Sequence, residues 1–148
     1  MSLDTRVSIA EAEQLVKEAF LRNGVKEAVA ESVSNALVAA EAEGQVGHGF
    51  SRVKDYLAQV KSKKINVDAK IKIESPKPTS ISIDADYGFA YPALDQAISE
   101  GALTAKEYGS AIVSIFNSHH CGALSVQVEK IANQGLIGVM MACWLMLA

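Results

Sequence analysis

At Lys64 the spacing of apolar residues changes period, and this change restricts the fold more than any other feature. Before it, Val29, Val33, Ala36, Leu37 and Ala40 recur at three- and four-residue steps, the repeat of a helix face. After it, "AKIKIE" and "TSISID" alternate apolar with polar residues, the repeat of a half-buried strand. A chain patterned this way is α/β, with a helical lobe over 1–64 followed by an α/β segment over 65–148.

Punctuation residues subdivide both parts. Ser8 and Glu11 form a capping-box pair that starts a first helix, and Asn23-Gly24 stops it. A second helix is predicted from Lys26 to Glu43. A third carries Phe50, Val53, Leu57 and Val60 on its buried face. In the second part, "SPKP" turns between two strands, and Pro92 suits the first turn of a fourth helix that ends at Gly109. "SAIVSIF" reads as a buried strand and Ala123 to Asn133 as a fifth helix. "LIGVMMA" reads as one more buried strand. The order is β-β-α-β-α-β.

Charge and cysteine usage narrow the function. With 14 basic and 17 acidic residues the net charge is −3, which provides no pull toward nucleic acid or an anionic membrane. Lys61, Lys63 and Lys64 read as a solvated helix end. The apolar run "GLIGVMMACWLMLA" is shorter than the roughly 20 residues that span a bilayer. Cys121 and Cys143 are the only cysteines, too few for a disulfide framework, and the N-terminus passes into a helix without a secretory signal. A reducing cytoplasm is expected.

Two stretches concentrate chemistry. In "GQVGHGFSRVKDY", His48, Arg52 and Tyr56 lie four residues apart and would share a helix face. Such a column can clamp a small carboxylic acid with the guanidinium and exchange a proton through the imidazole. The alternative is a solvated helix face. In "NSHHCG", His119, His120 and Cys121 follow a strand and precede a helix, where α/β sheets bind ligands. Adjacent histidines converge poorly on one metal ion, and Cys121 has no distinguishing feature of a nucleophile. A polar loop with one functional histidine is the better reading. Neither a G-x-G-x-x-G turn after a strand nor a P-loop is present.

Taken with "DADYGFAYPALDQAI" and "GLIGVMMA", these blocks resemble the malate/L-lactate dehydrogenase family of the non-Rossmann type. Their order and spacing agree over most of residues 8–142. The family's members act on malate, sulfolactate, ureidoglycolate, 2,3-diketogulonate or piperideine-2-carboxylate. The resemblance implies an NAD- or NADP-dependent oxidoreductase of small 2-hydroxy or 2-oxo acids, active as a homodimer. It carries His48 and His120 over as catalytic residues, either of which could be the proton donor, and Arg52 as the carboxylate ligand. The four-residue column adds Tyr56 as a substrate ligand, and Ser118 and Gly122 of the matched motif are expected as cofactor contacts. His120, not His119, matches the histidine of the family's Asn-Ser-x-His-x-Gly motif.

Two departures stand out. Gly47 occupies the place of the family's usual serine, which removes a hydroxyl and blurs the substrate class. Cys143 and Trp144 stand where an Asn-Ser pair is expected, and the long cofactor-binding region that follows in the family does not follow here. The sequence therefore predicts an N-terminal portion of such an enzyme, inactive alone. Two rivals remain at this point: a non-catalytic binding or assembly fragment, and a metal-dependent hydrolase using His48, His119, His120 and Cys121.

Overall fold

The computed structural model describes residues 6–143. The first helix, α1 (Ile9–Leu21), begins at the predicted capping box: the Ser8 hydroxyl accepts from the Glu11 amide, and the Glu11 carboxylate accepts from the Ser8 amide. Ala12, Val16 and Phe20, each four residues on, are its buried stripe. They pack on α2 (Glu27–Ala42), which buries Ala30, Val33, Ala36, Leu37 and Ala40.

Helix α3 (Ser51–Lys61) corrects the expected division of its faces. Phe50 precedes the helix and is 40% exposed, whereas Tyr56 is buried at 1% exposure. The reason is the helical period: Tyr56 lies three residues after Val53 and four before Val60, so it belongs to their stripe. His48 lies in the turn before the helix, so His48, Arg52 and Tyr56 do not form one helix face.

A three-stranded sheet follows. Strands β1 (Lys72–Lys77) and β2 (Ser80–Asp84) form an antiparallel hairpin, and β3 (Ile112–Phe116) pairs parallel with β2. Helix α4 (Ala90–Tyr108) makes the crossover, with Pro92 in its first turn and Gly109 as its left-handed cap. Strand β1 runs later than "AKIKIE" predicts and includes Pro76, so the turn is Pro78-Thr79. An edge strand tolerates that proline, which has no N–H for the ladder, because the register is interrupted between Glu74 and Lys77.

One face of the sheet is covered: Ile81, Ile83 and Ala85 pack on Ala93 and Ala97 of α4, with Val113 and Ile115 against them. Strand β3 is not the fully buried strand expected. It is an edge among the described residues, and Ile112 and Phe116 on its other face are 74% and 48% exposed. The main core crosses residue 64. Phe20, Leu37 and Tyr56 cluster with Phe89, Tyr91 and Leu94, and Met140 packs against the cluster.

Helix α5 (Leu124–Ala132) is the last regular element among the described residues. The expected strand "LIGVMMA" forms no ladder among the described residues. Its burial still alternates: Leu136, Gly138 and Met140 face inward, while Ile137, Val139 and Met141 are 98%, 82% and 89% exposed. The pattern suits a strand, but a strand needs a neighbour to take its hydrogen bonds, and no described strand pairs with it. The expected departure at Cys143-Trp144 falls half outside the described residues; Cys143 itself is exposed.

Candidate active site

The turn bearing His48 is built by its backbone. The His48 amide donates to the Gln45 carbonyl at 2.7 Å, and the Phe50 amide donates to the Glu41 carboxylate at 2.8 Å. Glu41 thus serves α3 as an N-terminal cap that its own N-cap residue, Phe50, cannot supply. Gly49 is required because a Cβ there would collide with Glu41. At Gly47 a Cβ would meet nothing within 4 Å, so the place of the missing serine is open.

Arg52 folds back on the same turn. Its Nε donates to the Gly47 carbonyl at 2.6 Å, and its Nη1 lies 3.7 Å from the Asp55 carboxylate. The guanidinium is thereby held beside the histidines, and its charge is felt at His120.

The "NSHHCG" segment leaves the carboxyl end of β3. Asn117 has φ of 49°, a conformation asparagine accepts more readily than most residues, and its amide donates to Asp84 at the end of β2. The Asp86 amide, followed by that of Asn117, holds the Asp84 carboxyl below the usual carboxylate range. The segment then turns toward α3, and the imidazoles of His48 and His120 stack with ring centroids 5.6 Å apart and planes 16° apart. The two histidines, 72 positions apart in sequence, meet as the motif reading expects.

Behind this pair lies a buried row of polar atoms. The Tyr56 hydroxyl is 2.9 Å from His120 Nδ1 and 3.1 Å from the Tyr91 hydroxyl, and the Gly122 amide donates to His120 Nδ1 at 3.2 Å. Burial, then the charge of Arg52, then the neighbouring His48 lower the His120 pKa. Burial raises both phenols, so both remain protonated.

Other sequence candidates are placed differently. His119 packs edge-on against Tyr56 at 5.0 Å, and its Nε2 donates to Gln59 Oε1 at 2.7 Å. Burial lowers its pKa to about 4. The Ser118 hydroxyl, exposed, donates to the His119 carbonyl. Gly122 has φ of 70°, and a Cβ there would stand 2.5 Å from the Tyr91 hydroxyl oxygen, so it is a packing glycine. Burial raises the Cys121 thiol. Among the described residues no three His, Cys, Asp or Glu side chains are grouped to hold a metal ion. The hydrolase reading therefore lacks its ligand set there. Tyr91, Gln59 and Glu41 escaped the sequence reading; only Tyr91, beside Pro92 in a quoted block, carried a signal.

The family model for malate/L-lactate dehydrogenase matches residues 7–143. This chain belongs to that family. It is 37% identical over 133 residues to a (2R)-3-sulfolactate dehydrogenase (NADP(+)) of Chromohalobacter salexigens, covering 90% of this chain and 40% of that one. It is 30% identical to a ureidoglycolate dehydrogenase (NAD(+)) of Escherichia coli O157:H7, covering 92% of this chain and 39% of the relative. The solved delta1-piperideine-2-carboxylate reductase of Pseudomonas syringae superposes with a TM-score of 0.84 at 32% identity, over 88% of this chain and 40% of that one. This family member thus spans about two fifths of the length of the relatives it matches.

Proposed function

We propose that this chain supplies the proton-transfer and carboxylate-binding side of an NAD- or NADP-dependent oxidoreductase acting on small 2-hydroxy and 2-oxo acids. The stacked His48–His120 pair carries the reading. Two half-buried imidazoles beside a fixed guanidinium can exchange a proton with a substrate oxygen and hold its carboxylate. When bound, the nicotinamide exchanges hydride with the substrate carbon. Arg52 orients the carboxylate, and a histidine gives the oxygen its proton as the carbonyl becomes an alcohol. Tyr56 acts from behind His120 rather than on the substrate, since its side chain is buried. The exposed Ser118 hydroxyl suits a cofactor contact, whereas Gly122, closed off by Tyr91, does not. The relatives' names cover both NAD and NADP, and a malate or lactate preference is one option within the acid class.

The free thiols of Cys121 and Cys143 suit a cytoplasmic protein, and the outward row Ile137, Val139, Met141 suits a homodimer or another covered surface. No helix among the described residues is long and apolar enough to cross a membrane. Titrating the labelled chain with pyruvate, oxaloacetate and sulfopyruvate tests the acid-binding half. The His48, Arg52 and His120 resonances should move together and saturate. Movement of none of them, with all three acids, would refute the site.

A further inference from the structure

We propose that Tyr91 is a positioning residue: through Tyr56 it holds His120 as the neutral Nε2–H tautomer. The proposal rests on the dehydrogenase reading only for the identity of the oxygen that receives the Nε2 hydrogen bond.

The direction of the hydrogen bonds follows from one fixed donor. The Gly122 amide lies 3.2 Å from His120 Nδ1, and a backbone N–H can only donate. Nδ1 is therefore an acceptor, and the proton of the neutral ring is on Nε2. Tyr56, 2.9 Å from the same Nδ1, must donate its own hydroxyl proton to it. With that proton committed, the Tyr56 oxygen accepts, so the Tyr91 hydroxyl at 3.1 Å is the donor. The chain runs Tyr91 to Tyr56 to His120. Both phenols are 1% exposed, so water has little access to replace either donor.

Gly122 controls both ends. Its amide fixes Nδ1, and its missing side chain leaves room for the Tyr91 ring, whose nearest carbons would lie 3.0 and 3.2 Å from a Cβ. Placing a proton on Nδ1 would set an N–H against the Gly122 N–H and require both hydroxyls to reverse. His120 is thus held neutral. The titratable and charged groups near it include His48 and Arg52, together with Tyr56, Tyr91, His119 and Cys121. The Arg52 guanidinium disfavours a second positive charge beside it.

The test is long-range proton–nitrogen correlation of the histidine rings in the nitrogen-labelled 148-residue chain, followed through a pH titration. His48→Gln and His119→Gln assign the signals. Wild type should show His120 with a bare Nδ1 and a protonated Nε2. Tyr56→Phe should raise the His120 midpoint by roughly half a pH unit or more, because a donor to the neutral form is gone. Tyr91→Phe should raise it less and mix the tautomers, because Tyr56 is then free to accept. A wild-type His120 protonated on Nδ1 overturns the proposal. So does a Tyr91→Phe chain with unchanged tautomer ratio and midpoint, the outcome for a purely structural tyrosine. If Tyr91→Phe does not fold, the wild-type tautomer and Tyr56→Phe still decide. The measurement uses neither substrate nor cofactor, so failure of the dehydrogenase reading leaves its outcome standing, and the reverse holds too.

Discussion

Arg52 and His119 show how differently two polar side chains of one site are employed. Arg52 spends its Nε on Gly47 and sets Nη1 near Asp55. Lysine cannot keep that tether and also present a planar fork. Arg52→Lys should therefore weaken 2-oxo acid binding by about tenfold or more, the loss of roughly 1.5–3 kcal/mol for a charged hydrogen bond. Acid titrations of both chains, read at His120, check this; equal affinities would make Arg52 a surface charge. His119 faces the core, and its role is in stability. Its folded pKa of about 4 lies below the unfolded value near 6.5. The unfolded chain therefore takes up the proton first as pH falls. Stability should be constant above about pH 7 and decline from there toward pH 4. Allowing for partial solvent exposure, His119 should account for on the order of 1–2 kcal/mol of that decline. Urea denaturation at stepped pH should show a shallower slope for His119→Gln; an unchanged slope would place the effect elsewhere.

Among the elements, the His48 turn depends on a residue of another helix. Glu41, in the last turn of α2, caps α3 through the Phe50 amide. Glu41→Ala should lower stability by about 0.5–2 kcal/mol, the usual cost of a lost cap. It should also loosen the His48–His120 stack. Glu41→Gln, which keeps an acceptor, should restore most of both. Thermal unfolding and ring-to-ring proton contacts measure the two effects. A stack that tightens or stays intact in Glu41→Ala would show that the turn is held by the Gln45 carbonyl and by the Ser51 hydroxyl, which donates to the Val46 carbonyl. The sequence made α1, α2 and α4 legible because each has a clean apolar stripe and a recognisable start or stop. It misplaced Tyr56 because a four-residue count from His48 was carried through a turn that is not helical. It misjudged β3 because apolar content signals burial on average, whereas burial of each face depends on what packs there.

At the scale of the whole molecule, the proposed acid-binding side chains stand together, whereas of the two proposed cofactor contacts only Ser118 is exposed. Fixing two reactants at near-attack distance is worth roughly 7–11 kcal/mol of barrier. These 148 residues alone should therefore show no steady oxidation of NADH or NADPH with 2-oxo acids or cyclic imines. Absorbance at the nicotinamide band follows this directly, and sustained turnover by a chain of verified mass would locate the cofactor site in residues assigned here to other tasks. The outward row Ile137, Val139 and Met141 and the open edge of β3 should also drive concentration-dependent association. Sedimentation velocity across a concentration series measures it, and Val139→Lys should reduce it.

The sequence by itself determined the helical and alternating segments and the family, and it singled out His120 as the histidine of "NSHHCG" that matches the family's motif. These follow from period, spacing and residue type, all local properties. Only the tertiary structure decided that Tyr56 and Tyr91 stand behind His120, that Gly122 serves Tyr91, and that Glu41 holds the His48 turn. Each of those contacts joins residues from different elements, and no local pattern encodes which buried hydroxyl or carboxylate the folded chain will set beside which ring.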